Sequence, residues 1–454
     1  MLKKYRKVLF IFRRDLRLTD NLGLNAALQK SEQVLPGFIL DSRQLEPHPY
    51  QSKPGLQFML ESLEDLQQQL HEVGGTLHSF SGLPQKVIQQ LHQEQQIEAV
   101  FVNRDFTPFS RQRDNEIQQQ CAELGLAYHS YADDLLNQPE QILNSSGMPY
   151  QVFTAFYNNA RQIPVTRPEK LAVGNWLKLP IQQNDQALEA LLKPRQATLT
   201  GGRQAVMAIL GDLQHCQHYS QQRDFPALMA TSGLSAYLKF GCCSIREAYY
   251  GFAETLGVDH PLQRQLYWRD FFYHIAWHFP QVFGHAFHSR FDSVKWRNDP
   301  DEFHAWQQGC TGFPIVDAGM RELKQTGSMH NRVRMVVASF LVKDLQISWR
   351  WGERYFAQHL LDYDPCLNNG NWQWIASTGC DAQPYFRIFN PWLQQQKFDA
   401  DCVYIKRWIP ELRELASSSI HQWHKKNVEI SYPAPMVDHA LRSQQTKLLF
   451  QNLA

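Results

Sequence analysis

Residues 361–374 read LDYDPCLNNGNWQW. Two carboxylates, Asp362 and Asp364, straddle Tyr363 and precede Pro365. The locked φ and missing N–H of proline push the residue before it toward extended backbone. A carboxylate held in such a bend can accept hydrogen bonds or pair with an arginine in a crowded pocket. Asn368-Asn369-Gly370 reads as a tight turn of positive φ that presents side-chain amides at a fixed angle. Trp372 and Trp374, flanking one glutamine, then open a new segment with large flat faces. A solvated turn followed by core aromatics explains such a run as well as a site does, so its surroundings decide.

Upstream stands TGSMHNRVRMVVASFLVKDL (residues 326–345), downstream ASTGCDAQPYFRIFNP (376–391), and near the amino terminus FRRDLRLTDN (12–21). In this order and spacing the four runs closely resemble the photolyase/cryptochrome family, and within it the class I cyclobutane pyrimidine dimer photolyases. The resemblance extends from Val8 to about Trp408. It implies an α/β amino-terminal domain with a parallel, Rossmann-like sheet, joined by a long linker to a large all-α domain that binds FAD and DNA.

Composition sets the frame. The 454 residues leave room for two or three domains and a large core. With 43% hydrophobic and 20% charged residues the chain is globular rather than disordered. A formal net charge of +1 does not itself point to nucleic acid, so a DNA site has to be a local basic patch. The cysteines at 121, 216, 242, 243, 310, 366, 380 and 402 form no C-x-x-C pair and show no zinc spacing, which predicts reduced, mostly buried thiols and no metal. The start MLKKYRKVLFIFRRD has too short an apolar run for a signal peptide, and no stretch is long and apolar enough for a bilayer span, so a cytoplasmic protein is expected.

From Lys7 to about Tyr131 short apolar strands alternate with amphipathic helices. Residues 8–12, 34–40, 76–80 and 99–103 read as strands, and 56–73, 84–95 and 110–124 as helices. That alternation predicts a parallel sheet, without the G-x-G-x-x-G fingerprint of a dinucleotide site. Residues 132–201 have weak periodicity and prolines at 139, 149, 164, 168, 180 and 194, which reads as an interdomain linker. The expected division is thus 1–131, 132–201 and 202–454.

Beyond Gly202 helical spacing dominates, and eleven of the twelve tryptophans lie past residue 260, as in helical domains that enclose a flat cofactor or build an aromatic core. Thr231-Ser232-Gly233-Leu234-Ser235 places three hydroxyls around a glycine ahead of a helix-compatible run, which suits either a phosphate or a plain N-cap. Gln265, Trp268, Arg269 and Phe272 share one helical face, suited to a base with a phosphate at its rim or to an ordinary half-buried helix side. Asn331, Arg334, Met335 and Ala338 share another, with Arg332 pointing away to solvent or DNA, and Arg334 is a natural bidentate partner for Asp362.

The resemblance gives these residues roles. The segment 231–235 resembles the loop that holds the FAD pyrophosphate, with Tyr219 beside it. Arg334, Asp362, Tyr363 and Asp364 are implied along the polar flavin edge, and Asn368 facing flavin N5. Trp268 and Trp374 are implied as walls for the flipped-out lesion, with Met335 beside it and Asn331 near both lesion and flavin. Trp372, Trp349 and Trp296 match the family's electron-transfer chain. DNA contacts are implied for Arg223, Arg269, Arg332, Arg387, Gln394 and Lys397. The implied activity is light-dependent repair of cyclobutane pyrimidine dimers in ultraviolet-damaged DNA by electron transfer from excited reduced FAD, by a monomer.

Two departures matter. Class I dimer photolyases usually carry Glu where this chain has Gln265, and an amide can donate a hydrogen bond but cannot pass a proton. Glutamine there also resembles (6-4) photolyases and animal cryptochromes, which carry a His-based motif where this chain has MHNRVRM. Where folate-binding relatives place an amide and a carboxylate, and a Cys-Lys pair, this chain has Phe109-Ser110 and Phe283-Gly284. That argues against methenyltetrahydrofolate as antenna and leaves deazaflavin, a second flavin or no antenna. A blue-light photosensor of the cryptochrome type is the rival reading, and the short end KLLFQNLA favours repair.

Overall fold

The apolar run at residues 8–12 lies in strand β1 (Tyr5–Phe12), whose last five residues are buried. In this computed structural model, which describes residues 3–179, 199–425, 430–451 and 453, the chain forms two compact units. One comprises Met1–Tyr150, Thr154–Gln214 and Ser232–His278, the other Gln151–Phe153, His215–Thr231 and Phe279–Ala454. The amino-terminal part is α/β with a parallel sheet, and the carboxy-terminal part is a large helical domain.

In the first unit β2 (Ser31–Leu40), β3 (His78–Ser81), β4 (Ala99–Asn103) and β5 (Ala127–Tyr131) join β1 in the order β3-β2-β1-β4-β5, every pair parallel. Near-continuous apolar strands follow from burial on both faces of such a sheet, which is why residues 8–12 and 99–103 were legible as strands. The helices expected at 56–73, 84–95 and 110–124 run Lys53–Glu72, Pro84–Gln95 and Pro108–Glu123. Their starts are set by local chemistry: Ser52 and Thr107 cap two of them through the side chain, and proline stands in the first turn of all three.

The topological switch lies between β1 and β4, where an open α/β sheet offers a crevice at its carboxyl ends. This chain fills it with its own side chains. Asn103 donates to Asp15 Oδ2 at 2.5 Å, and Arg13 and Arg14 pair with Asp114 and Asp105. A second buried ionic knot joins Arg17, Asp20, Asp133 and Arg246, tying the helix Ile245–Leu256 to the loop after β1. Gly241 at φ +64 closes that junction, since a Cβ there would lie 2.1 Å from the Arg14 carbonyl oxygen.

The expected linker holds more structure than its weak periodicity suggested. It contains a 3₁₀ turn at Pro139–Gln141, a helix at Phe153–Ala160 and a strand β6 (Asn175–Trp176) paired with β2. Elements of two to eight residues are too short to print a periodic signal. Pro180 and Pro194 lie outside the described residues.

The second unit is built on one large apolar cluster fed by the helices Pro314–Thr326, Asn331–Ser339, Trp349–His359 and Pro365–Ala376. Between the second and third of these the chain makes a π-helical turn, Phe340–Asp344, entirely buried. Against that turn packs the last helix, His439–Gln451: Thr446 Oγ1 donates to Lys343 O at 2.6 Å and His439 meets Asp344 at 2.5 Å.

Candidate functional site

The second unit gathers most of the expected cofactor residues. His330 caps the helix Asn331–Ser339: its Nδ1 accepts from the Arg332 N–H at 3.2 Å, which leaves the imidazole proton on Nε2. Burial pushes its pKa down to about 4, so the ring is neutral. From the next residue, Asn331 Nδ2 points at Met335 Sδ one turn on, 3.8 Å away. Arg334 leaves the same helix, donating from Nε to Met329 O at 2.8 Å and from Nη2 to Asp362 Oδ2 at 3.0 Å. The ion pair read from the sequence is therefore formed, but through one oxygen rather than bidentately, because Arg334 Nε is taken by Met329 O; the other carboxylate oxygen, Asp362 Oδ1, is buried without a partner.

The turn expected at Asn368-Asn369-Gly370 does not form. Those residues lie inside the helix Pro365–Ala376, which starts because Asp364 caps it, accepting from the Leu367 N–H at 3.0 Å, with Pro365 in its first turn. A cap followed by proline outweighs the turn preference of Asn-Asn-Gly, and tertiary partners then hold the amides. Asn368 Nδ2 donates to Glu353 O at 2.9 Å and Asn369 Nδ2 to Val282 O at 3.0 Å. Because only the NH₂ group can donate to a carbonyl, the Glu353 bond fixes the flip of Asn368 and turns its Oδ1, an acceptor, the other way.

Trp372 and Trp349 are buried in the same apolar cluster, against which Trp296, half-buried, also packs. The approach is tight: a Cβ on Gly352 would sit 2.2 Å from Trp372 Cη2, so only glycine lets the two helices meet there. Trp374 and Tyr363 lie half-buried at the edge of this cluster. Buried Trp306, whose ring is 6.4 Å from that of Trp372, was not singled out in the sequence; its apolar surroundings look like any core.

The basic residues sort into two kinds. Arg223, Arg387 and Lys397 are exposed, Arg223 over the Tyr219 ring at 5.8 Å and Lys397 over Phe398 at 5.2 Å. Gln394 is half-buried, with Oε1 unpaired. Arg332, expected to point to solvent or DNA, instead pairs with Asp224 at 2.8 Å and lies over Phe398 at 4.6 Å. The short segment bearing Asp224 supplies a carboxylate that helical geometry alone could not reveal.

In the first unit Gln265 and Trp268 are half-buried on the helix Pro261–His278, Trp268 stacked on Phe272 at 5.7 Å. Arg269 does not share their exposure. It is 7% exposed and bonds Asp134 through its carbonyl at 2.6 Å and its carboxylate at 2.5 Å, so it is a structural residue rather than a DNA contact. At 231–235 the capping explanation fails: Leu234 is the N-cap of the helix Ser235–Phe240, with no side-chain cap, and Gly233 has φ +66. The hydroxyls of Ser232 and Ser235 are thus not spent on the helix end, while Thr231 O meets His215 Nε2 at 3.2 Å within the second unit. Tyr219 is buried, which pushes its phenol up.

The donor set fits a flavin. Asp362 Oδ1 is a buried acceptor lacking a donor, as an imide N–H or a ribose hydroxyl would supply, Arg334 balances its charge, and Asn368 Oδ1 is a second acceptor. Phe109, expected from the sequence to replace an amide of folate-binding relatives, lies 5.0 Å under the Arg43 guanidinium. Among the described residues no group of three or more His, Cys, Asp or Glu could hold a metal ion, and no helix is long and apolar enough to cross a membrane.

Comparison with known proteins identifies the family and fold. Residues 8–172 match the family model described as DNA photolyase, and residues 262–452 the FAD binding domain of DNA photolyase. The deoxyribodipyrimidine photo-lyase of Synechococcus sp. is 39% identical, covering 98% of this chain and 96% of its own. An archaeal photolyase from Sulfolobus tokodaii, solved with two FAD molecules, is 42% identical with a TM-score of 0.90, covering 98% of this chain and 100% of its own. A cryptochrome from Synechocystis is 28% identical with a TM-score of 0.88, covering 99% and 100%.

Proposed function

The chain belongs to the DNA photolyase family, and from that premise we propose that it repairs cyclobutane pyrimidine dimers in ultraviolet-damaged DNA, using light and bound FAD. When bound and reduced, FAD supplies the single electron, released on absorbing light, that opens the cyclobutane ring and that returns afterwards. The protein's part is to hold, orient and exclude water. Asp362 and Arg334 hold the polar edge of the cofactor, Asp362 Oδ1 accepting and Arg334 neutralising the carboxylate. Asn368, locked by Glu353 O, presents a fixed acceptor to a ring N–H and so favours the reduced form. Asn331 and Met335, one turn apart on a capped helix, present a hydrogen-bonding and an apolar group to the lesion. Exposed Arg223, Arg387 and Lys397 engage DNA phosphates.

The observation that carries this reading is the buried, unpaired oxygen of Asp362 beside its arginine, one helix start away from a locked Asn368. The test is direct: photoreduced protein incubated with a dimer-containing oligonucleotide under blue light restores intact pyrimidines, and dimers left unrepaired under those conditions refute it. Gln265 in place of glutamate, with the likeness to a cryptochrome, favours one second reading, a photosensor that shares the cofactor and repairs nothing; the same assay separates the two.

For the second chromophore a flavin or deazaflavin fits better than a folate, because Phe109, which stands where folate-binding relatives are expected to carry an amide, has no hydrogen-bonding group to offer a pterin and packs under Arg43. The relative with two FAD molecules supports the same choice. Absorption spectra of chromophores released on denaturation identify it; a folate spectrum would exclude this assignment.

A further inference from the structure

The helix Pro365–Ala376 buries two amides one turn apart, Asn369 at 3% and Gln373 at 2% exposure. Gln373 Nε2 shares its two hydrogens among Val282 O at 3.1 Å, His285 O at 3.1 Å and Asn369 Oδ1 at 3.0 Å, and its Oε1 accepts from the Phe287 N–H at 2.8 Å. Asn369 Nδ2 donates to Val282 O at 3.0 Å. Every polar atom of both amides therefore has a partner, and outside the pair those partners are the backbone of residues 282–287. We propose that Asn369 and Gln373 are positioning residues: they fix the rotation of this helix about its axis, and with it the directions in which Asn368 and Trp374 face. The proposal rests on the reading that Asn368 meets the flavin ring and Trp374 the lesion.

Helical geometry gives this clamp its leverage. Successive residues lie about 100° apart around the axis, so the midline of Asn369 and Gln373 stands about 120° from Asn368 on one side and about 120° from Trp374 on the other. The amide face thus lies opposite the arc between the two working residues, and any turn of the helix moves both. The segment that holds the amides is itself held. Arg350 donates from Nε to Gly284 O at 2.7 Å and from Nη2 to Asp292 Oδ1 at 2.5 Å, and the same oxygen accepts from the Ala286 N–H at 2.9 Å. Arg350 stands on the helix Trp349–His359, whose Glu353 O holds Asn368 Nδ2. Asn368 and Gln373 are thus referred to one frame, the first directly and the second by way of residues 282–287. Beyond the helix the Thr378 and Gly379 N–H groups each donate to Gln373 O at 3.1 Å, and a Cβ on Gly379 would lie 2.8 Å from Gln373 Cβ.

Stability alone does not call for such an arrangement. Burying amides carries a desolvation cost that their hydrogen bonds offset, and apolar side chains of similar size fill the same space without it. What a fully bonded buried network adds is one defined geometry. A flavin-facing oxygen and a lesion-facing indole require that property, because small displacements of reacting groups are costly.

The test uses full-length, FAD-loaded protein and two readouts: the ratio of reduced to oxidised flavin at a fixed solution potential, and the affinity in the dark for a dimer-containing oligonucleotide. Gln373→Leu keeps the bulk and removes the amide, and is expected to shift the flavin ratio toward the oxidised form and to weaken lesion binding, each by about tenfold. Asn369→Ala leaves Gln373 on Val282, His285 and Phe287 and should shift both readouts by about threefold, which decides the matter should Gln373→Leu fail to fold. Ile375→Val loosens the apolar packing of the same helix without touching an amide and should leave both readouts unchanged. A lower melting temperature with both readouts unchanged in the amide variants, or equal shifts in Ile375→Val, overturns the positioning role. The flavin ratio is read without DNA, so it holds or fails independently of whether the wild type repairs dimers.

Discussion

Asp362→Asn keeps the size of the side chain and removes its charge, which isolates the contribution of one carboxylate. In the structure Oδ2 accepts from Arg334 at 3.0 Å and Oδ1 is buried and unpaired, within a side chain only 7% exposed. A hydrogen bond to a charged acceptor contributes about 1.5–3 kcal/mol, and a buried group deprived of its partner costs a similar amount. If Oδ1 is the acceptor for a flavin or ribose donor, the variant should bind FAD about 10- to 100-fold more weakly. Arg334 retains its bond to Met329 O at 2.8 Å, so the helix Asn331–Ser339 should keep its place and far-ultraviolet circular dichroism should not change. Flavin stripped with a chaotrope and returned by titration, read by fluorescence, gives the two dissociation constants. Equal affinity in wild type and variant would refute the assignment of Asp362 to the cofactor edge.

Gln265→Glu should raise the quantum yield of repair with little change in binding of damaged DNA, since a carboxyl can donate and also pass a proton; an unchanged or lower yield rules this out. Arg387→Gln/Lys397→Gln should weaken DNA binding and flatten the slope of log affinity against log salt by about 2, and a slope that stays put removes both from the interface. Arg269→Gln should instead lower stability by about 3–5 kcal/mol, by removing the guanidinium that bonds the largely buried Asp134 carboxylate, which thermal or denaturant unfolding would register. Lys343 is fully buried on Ser377 Oγ and Phe450, and burial pushes its ammonium down to about 7. From about pH 7 up to its ordinary value the unfolded chain holds a proton that the folded protein has shed, so this group's contribution to stability rises with pH, by up to ~1.4 kcal/mol per unit. Lys343→Met should abolish that rise, and denaturant unfolding curves that shift equally with pH in both proteins would contradict it.

Most of the legible features share one property: they are local in the chain. Strands at residues 8–12 and 99–103 announced themselves because both faces of a parallel sheet are buried, and the helix Pro84–Gln95 carried its own start and stop. The Arg334–Asp362 pair was legible from side-chain chemistry alone. Three readings failed where a distant partner intervened. Asp224 captured Arg332, Asp134 captured Arg269, and the Glu353 and Val282 carbonyls hold the amides of a stretch whose composition favours a turn.

The order and spacing of long motifs in this chain were enough to assign its family, its two-part architecture and its cofactor class, because those motifs are contiguous runs whose chemistry is written residue by residue. The exposure of each basic side chain, the direction in which Asn368 turns its oxygen, and the contact between the rings of Trp306 and Trp372 depended on the folded protein. Each is a relation between side chains brought together by packing, and a hydrogen bond or ring contact exists only once both partners occupy their places.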